Sequence, residues 1–133
     1  MVVDTSALLA LLLNEPEADD IEVALDADPV RMMSTAAYLE AAVVAEARLG
    51  AAGGREFDLL VHKCGLELVP VTAEHAEVAR EGWRRFGRGR HEAGLNFGDC
   101  FSYGLAMASG EPLLFKGQDF SRTDVLAVKL GTA

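Results

Sequence analysis

The chain has 133 residues, of which 50% are hydrophobic and 25% are charged, a composition typical of a globular domain with its own core. Its formal net charge of −9 argues against a generally basic nucleic-acid-binding surface, because phosphates need cations. The apolar run 7–13 is too short to span a bilayer, and no basic stretch precedes it, so neither a membrane anchor nor a signal peptide is expected.

Hydrophobic periodicity and capping residues predict short strands separated by helices. The predicted strands cover residues 1–3, 29–34, 66–71 and 112–116, with a final one near 125–128. The predicted helices cover residues 5–13, 16–27, 35–50, 55–64 and 73–86, with a last one that starts near residue 99. This alternation favours one α/β domain over residues 1–133, with a parallel sheet covered on both faces.

The two cysteines, Cys64 and Cys100, show neither a CxxC pair nor a zinc-ligand spacing. We interpret both as small core residues in a reducing environment, which favours a cytoplasmic protein.

Four of the 21 acidic residues stand apart from predicted solvent-facing helix sides. Asp4 ends the first strand, at the sheet edge where open parallel sheets bind ligands. Glu40 shares its predicted helix face with small and branched apolar residues, where a carboxylate is expected to be paired or bound to a cation. Asp99 begins a predicted helix, and Asp119 follows the fourth strand. Taken singly, Asp4 and Asp99 can be helix caps, Asp119 a turn residue, and Glu40 an edge or salt-bridge position.

Taken together, these acids indicate a divalent-metal site. A parallel sheet brings several of them to one edge, where like charges raise one another's pKa unless a cation neutralises them. Oxygen-only ligands favour Mg²⁺ or Mn²⁺, and the three histidines show neither HxH nor HExxH spacing.

A cluster of basic residues makes nucleic-acid binding compatible with the negative net charge. Five of the twelve basic residues lie within eleven positions: Arg80, Arg84, Arg85, Arg88 and Arg90. Only eight residues separate Arg90 from Asp99, so these arginines are candidates to hold substrate phosphates beside the acids. A solvated charge run or a contact with an acidic protein partner is the alternative. We interpret Trp83 and Phe86 as core anchors rather than base-stacking platforms.

Four segments resemble PIN-domain ribonucleases, specifically the VapC toxins of bacterial type II toxin–antitoxin pairs. They are VVDTSALLALL, STAAYLEAAVV, LNFGDCFSYGLA and PLLFKGQDF, and they follow one another in the expected order along almost the whole chain. The last two are particularly similar to actinobacterial members. The resemblance implies a three-layer α/β/α sandwich around a five-stranded parallel sheet. It also implies Mg²⁺- or Mn²⁺-dependent endonuclease action on structured RNA, commonly tRNA or rRNA, which inhibits translation.

The resemblance also assigns residues by position. It gives four catalytic acids, namely Asp4, Glu40, Asp99 and Asp119. Ser6 matches a small polar position that supports the metal. Many relatives have a Thr-Arg-Asn type stretch where this chain has the sequence FKG at 115–117, which leaves Asp124 as an alternative fourth acid.

Phosphodiester hydrolysis needs an activated water and charge neutralisation, which one or two Mg²⁺ ions supply. We expect Asp4 and Asp99 to be direct ligands and Asp119 to serve the outer shell. Glu40 would orient the attacking water, accept its proton or complete a second metal's shell. The expected RNA-binding residues are Arg84, Arg85, Arg88, Arg90 and Lys116. The resemblance further implies a VapB-type antitoxin partner and a homodimer.

Other readings of the sequence fit less well. A haloacid-dehalogenase-type phosphatase needs a second Asp where this chain has Ser6, and a receiver domain needs an Asp at the end of the third strand. The segment GRGRHEAG has Glu92 where a GxGxxG fingerprint needs its third glycine. The remaining alternative is a catalytically silent PIN-like protein-interaction module, against which the retention of all four acids argues.

Overall fold

The computed structural model describes residues 1–131. The strands are β1 (Val2–Val3), β2 (Met32–Ser34), β3 (Glu67–Val69) and β4 (Leu113–Leu114). The helices are α1 (Thr5–Leu12), α2 (Ala18–Asp26), α3 (Thr35–Cys64), α4 (Ala73–Phe86) and α5 (Phe97–Ser109), followed by a 3₁₀ turn at Phe120–Arg122. The predicted helix over 73–86 has the bounds of α4, where Thr72 caps the first turn through the His75 N–H.

The sheet is parallel throughout, in the order β3-β2-β1-β4. The prediction of five strands was wrong for the described residues, because the segment near 125–128 forms a single bridge between Leu113 and Ala127. Its two hydrogen bonds both involve Leu113, and Leu126 is 66% exposed. The segment therefore follows β4 for one residue only and does not form a regular strand.

Helices cover both faces of the sheet, as the sequence predicts. Val2 and Val3 in the central strand β1 are both fully buried, but they point to opposite faces and belong to separate hydrophobic clusters. Val3 packs with α1, α2 and α3, whereas Val2 packs with α4 and α5. The predicted three-layer arrangement is confirmed, with β1 at its centre.

Gly50 divides α3 into two helical segments. Its φ of 70° and ψ of −165° are not helical, and glycine adopts this conformation without the steric cost of a Cβ. The predicted break is therefore confirmed at Gly50, although Gly53 and Gly54 already belong to the second segment. Within residues 1–131, no helix combines the length and the apolar character that a membrane span requires.

The two cysteines behave as predicted. Cys100 is buried in the cluster between α4, α5 and the sheet, and Cys64 packs against the opposite cluster. Both are free thiols, and burial raises the pKa of each.

The close contact of α4 with α5 depends on small residues. A Cβ at Gly82 would collide with the Tyr103 ring, and one at Gly104 would lie 2.7 Å from the His75 carbonyl oxygen. The buried side of α4 is thus formed by Ala79, Gly82 and Phe86. The prediction that Trp83 is a core anchor was wrong, because its position on α4 leaves it 42% exposed at the rim. Phe86 is the core residue of that pair.

The substitution Gly82→Ala should destabilise the fold by about 1–3 kcal/mol, because the added methyl group forces α4 away from Tyr103. Urea unfolding of the metal-free protein measures this free energy. Gly54→Ala is the matched control, since the added methyl group there meets only the flexible, exposed Glu46 side chain. Equal stabilities for the two variants would contradict this description of the helix interface.

Candidate active site

Asp4 lies at the carboxyl end of β1 and is only 4% exposed. Its N–H donates to the Leu114 carbonyl of β4, and its side chain caps α1 by accepting a hydrogen bond from the Ser6 N–H at 3.0 Å. Asp4 can therefore cap α1 and still be a metal ligand. The backbone places this carboxylate at the sheet edge where four elements meet.

Two serine hydroxyls hold the Asp4 carboxylate. Ser6 Oγ donates to Oδ2 at 2.6 Å, and Ser102 Oγ of α5 donates to Oδ1 at 2.5 Å. Ser6 Oγ also accepts from the Lys116 N–H at 2.9 Å, which ties α1 to the end of β4. Ser6 therefore holds the Asp4 carboxylate, and its support of a metal stays a prediction.

Ser102 is a residue that sequence reasoning missed. It is fully buried on α5, and its partner is 98 positions away in the chain. In the sequence, Ser102 is distinguished only by lying three residues after Asp99, on the same predicted helix face. This spacing does not identify its hydrogen-bond partner.

Asp99 is the third residue of α5 and takes part in a capping box. Asn96 Oδ1 accepts from the Asp99 N–H at 2.8 Å, and Asp99 Oδ2 accepts from the Asn96 N–H at 3.0 Å. The helix therefore begins before Asp99, and Asn96 is the N-cap. The three-residue spacing of Asn96 and Asp99 is the capping-box signature that would have shown this in the sequence.

The negative charges of the site act on Asp99. The pKa of Asp99 is raised to about 7, above all by burial, although the hydrogen bond from Asn96 opposes this shift. The charges of Asp4 and Asp119 and a hydrogen bond with Asp119 contribute to the increase. Asp119, rather than Asp124, thus lies near Asp99.

Asp124 has other partners. It accepts hydrogen bonds from the Tyr103 hydroxyl at 2.9 Å and from Arg85 at 3.0 Å.

Glu40, on α3, lies near Asp99 as well. A Cβ at Gly98 would lie 2.5 Å from Glu40 Oε2, so the Glu40 carboxylate lies against the first turn of α5, one residue from Asp99. This location is favourable because a helix N-terminus carries partial positive charge. The Thr5 hydroxyl donates to the Ala37 carbonyl at 2.9 Å and fixes α3 against α1 at this level. The expectation that Glu40 is buried among apolar residues was wrong, because it is exposed to solvent.

Comparisons with known proteins identify the family of this chain. Residues 1–126 match the family model of the PIN domain. The chain is 58% identical over 130 residues to a VapC ribonuclease of Mycobacterium bovis and to ribonuclease VapC30 of Mycobacterium tuberculosis. Those alignments cover 98% of this chain and 99% of each relative. The chain belongs to the PIN-domain family.

The similarity to VapC toxins is thereby confirmed at the level of the family. A third relative, ribonuclease VapC of Mycolicibacterium smegmatis, is 59% identical over 128 residues, covering 96% of this chain and 99% of the relative. The fold resembles that of VapC20 of Mycobacterium tuberculosis, a Sarcin-Ricin loop cleaving toxin, with a TM-score of 0.77, 22% identity, and coverage of 96% of this chain and 98% of that one. It also resembles VapBC2 of Rickettsia felis, with a TM-score of 0.75, 13% identity and 96% coverage of both chains.

The carboxylates of this PIN domain fit a hard divalent cation. Their side chains offer only oxygen atoms, which suits Mg²⁺ or Mn²⁺. The repulsion that Asp4 and Asp119 exert on Asp99 is the electrostatic condition that a cation relieves. Within residues 1–131, no three His, Cys, Asp or Glu side chains are already close enough to form a complete metal cage. The residues that would hold the cation are therefore Asp4 and Asp99, the two carboxylates fixed by hydrogen bonds.

The basic residues divide into paired and unpaired groups. Arg84 contacts Glu81 at 3.3 Å and Arg85 contacts Asp124 at 3.0 Å. The Lys116 side chain contacts Glu15 at 2.8 Å, which raises the pKa of Lys116, so the ammonium group is engaged in an ion pair. In residues 1–131, Arg88 and Arg90 have no carboxylate within 4.0 Å and remain available for phosphates.

In the metal-free protein, the Asp99 carboxyl should make folding less favourable as the pH rises. Its pKa is about 7 in the folded state and close to the ordinary value of 3.8 in the unfolded state. The folded state therefore holds this proton more tightly, and the stability it contributes is lost between about pH 4 and about pH 7. In EDTA, the wild-type protein should lose more stability to urea between about pH 4 and about pH 7 than Asp99→Asn, which keeps the capping box but does not titrate.

Asp58→Asn, at an exposed position on α3, is the control and should follow the wild-type pH dependence. The same pH dependence in the wild type and in Asp99→Asn would contradict this electrostatic description of the site.

The substitution Ser102→Ala should reduce stability by about 1.5–3 kcal/mol, because it removes a hydrogen bond to a buried carboxylate. Ser109→Ala is the matched control, since the Ser109 hydroxyl donates to the Ala106 carbonyl at the exposed end of the same helix. Urea unfolding in EDTA measures both. A loss in Ser102→Ala no larger than that in Ser109→Ala would show that Ser102 does not hold Asp4.

Proposed function

We propose that this PIN domain, formed by residues 1–133, is a Mg²⁺- or Mn²⁺-dependent endoribonuclease toxin of a VapBC-type toxin–antitoxin system. It cleaves structured RNA, tRNA or rRNA, in the cytoplasm and thereby inhibits translation. The observation that carries the proposal is that the charges of Asp4 and Asp119 act on the Asp99 carboxyl, while Glu40 lies against the first turn of α5, one residue from Asp99. The names of the relatives support it, since several are VapC ribonucleases and one structural neighbour is a Sarcin-Ricin loop cleaving toxin.

The chemistry follows from the residues at this edge. A divalent cation bound there would neutralise charge on the phosphoryl group and activate a water. Asp4 and Asp99 would hold the cation, while Ser6 and Ser102 keep the Asp4 carboxylate in one orientation. Buried hydrogen bonds of this kind fix a ligand without a change of rotamer during the reaction.

The two remaining acids have different tasks. Glu40 is exposed and lies against the start of α5, so it can orient the attacking water and accept its proton. Asp119 is exposed beside Asp99 and serves the outer shell. Arg88 and Arg90 supply the charge that holds the flanking phosphates.

The partners of this system follow from the same assignment. Two structural neighbours are VapBC2 of Rickettsia felis and a toxin–antitoxin complex from Klebsiella pneumoniae. We therefore expect a VapB-type antitoxin that covers the acidic site, and a homodimer of the toxin.

The decisive experiment incubates antitoxin-free protein with total bacterial RNA in Mg²⁺, in Mn²⁺ and in EDTA. Discrete fragments should form only with a metal, and Asp4→Asn and Asp99→Asn should reduce cleavage by at least about 100-fold. Asp58→Asn should cleave like the wild type.

Cleavage that persists in EDTA or in both active-site variants would contradict the proposal. No cleavage of any RNA by a folded, Mn²⁺-binding protein would favour a catalytically silent interaction module.

A further inference from the structure

The post-β4 segment, residues 118–125, carries Asp119 outside the regular sheet. Its regular structure consists of the 3₁₀ turn Phe120–Arg122. Asp4 is placed by the end of a central strand, whereas Asp119 has no such support from the sheet. Asp119 nevertheless lies close enough to Asp99 to form a hydrogen bond with it. Contacts of the post-β4 segment with the helices must therefore determine where Asp119 lies.

The post-β4 segment is held together by its own hydrogen bonds. The Ser121 hydroxyl donates to the Gln118 carbonyl at 2.6 Å. The Thr123 hydroxyl donates to the Phe120 carbonyl at 2.7 Å, and the Val125 N–H donates to the Thr123 hydroxyl at 3.3 Å. Because these bonds overlap along the chain, a contact at one end of the segment also affects the position of the other end.

Two side chains attach this segment to the rest of the domain. Phe120 is 3% exposed, and its ring centroid lies 5.2 Å from that of Phe115. Asp124 is the second attachment, because its Oδ1 accepts from the Tyr103 hydroxyl at 2.9 Å and its Oδ2 accepts from Arg85 at 3.0 Å. With Phe120 buried at one point, the contact of Asp124 sets the direction in which the segment runs away from it.

Both ends of the 3₁₀ turn contact the same helix. Asp99 and Tyr103 are four residues apart on α5, so they share a helix face and are separated by about 6 Å along the axis. Asp119 meets Asp99, and Asp124 meets Tyr103. The segment is thus attached to α5 at two levels, one helical turn apart.

The contact of Asp124 with Tyr103 involves a buried group. Tyr103 is 2% exposed, and a buried hydroxyl needs a hydrogen-bond partner. Burial and then Asp124 raise the pKa of Tyr103 to about 12, so this hydroxyl remains protonated and donates. The exposed ion pair of Arg122 with Glu92, at 3.2 Å, contributes much less because solvent screens it.

We propose that Asp124 is a positioning residue of the acidic site: bound to Tyr103, it keeps Asp119 against Asp99, where Asp119 serves the outer shell of the cation. Asp124 does not bind the cation, because both of its oxygens already accept hydrogen bonds. The inference rests on the proposed function of the acidic site and adds a residue to it. The acid that the sequence offers as an alternative to Asp119 thereby has a different task, which depends on Asp119.

The test measures Mn²⁺ affinity of the antitoxin-free protein by electron paramagnetic resonance, without RNA. Asp119→Ala should weaken Mn²⁺ binding by about tenfold. Asp124→Ala and Tyr103→Phe should each weaken it by up to about tenfold, because each removes the bond that holds the post-β4 segment against α5. Asp124→Asn keeps an oxygen that accepts from Tyr103, so it should bind Mn²⁺ like the wild type.

A double variant separates positioning from a general loss of structure. If Asp124 acts through Asp119, the variant with both Asp119→Ala and Asp124→Ala should bind Mn²⁺ as tightly as Asp119→Ala alone. Asp58→Ala makes the same change at an exposed position of α3 and should leave Mn²⁺ binding unchanged. Urea unfolding in EDTA shows which variants are folded, and Tyr103→Phe and Asp124→Asn keep the test valid if Asp124→Ala is not.

Three results would overturn the proposal. Asp124→Asn might bind Mn²⁺ as weakly as Asp124→Ala, which would make the Asp124 charge itself part of the metal site. The losses in the double variant might add up, or neither Asp119→Ala nor Asp124→Ala might change the affinity. Cleavage is measured separately: the expected Mn²⁺ affinities without any RNA cleavage would refute the nuclease and not the role of Asp124.

Discussion

The burial of Asp4 is the constraint on which the rest of the site depends. A carboxylate that is 4% exposed must have its oxygens hydrogen-bonded, and here Ser6 and Ser102 supply the donors. Through these bonds, and through the contact of Ser6 with the Lys116 N–H, β1, α1, α5 and the end of β4 are fixed to one another. The Asp4 carboxylate thus links the beginning of the chain to α5, whose Ser102 is 98 positions away.

This arrangement concentrates like charges at one edge of the sheet. The pKa of Asp99 is raised first by its burial and then by the charges of Asp4 and Asp119. A divalent cation bound there would relieve both effects. The unpaired arginines lie on α4 and in the loop that precedes α5. The structure thereby separates the groups suited to a metal from those suited to phosphates, on a chain whose net charge alone would argue against RNA.

Much of this could be predicted from the sequence, because strand ends, glycine breaks and isolated acids are local signals. The bounds of α4, the break at Gly50 and the position of Asp4 at the end of β1 follow from such signals. The role of Ser102 could not be predicted, since it depends on a partner 98 residues away. The exposure of Glu40 and Trp83 depends on how α3 and α4 are rotated against their neighbours, which periodicity does not specify. The prediction of a fifth strand was wrong because the last segment pairs with β4 only at the bridge between Leu113 and Ala127.

The central claim is that Asp4 and Asp99 together hold a divalent cation at this edge of the sheet. The most direct test is anomalous diffraction from crystals of the antitoxin-free protein soaked in Mn²⁺, because the signal locates the metal independently of activity. The account predicts one strong peak between the Asp4 and Asp99 carboxylates, which disappears in Asp4→Asn crystals. A peak confined to other acids, such as Asp19 and Asp20 in the first turn of α2, would contradict it.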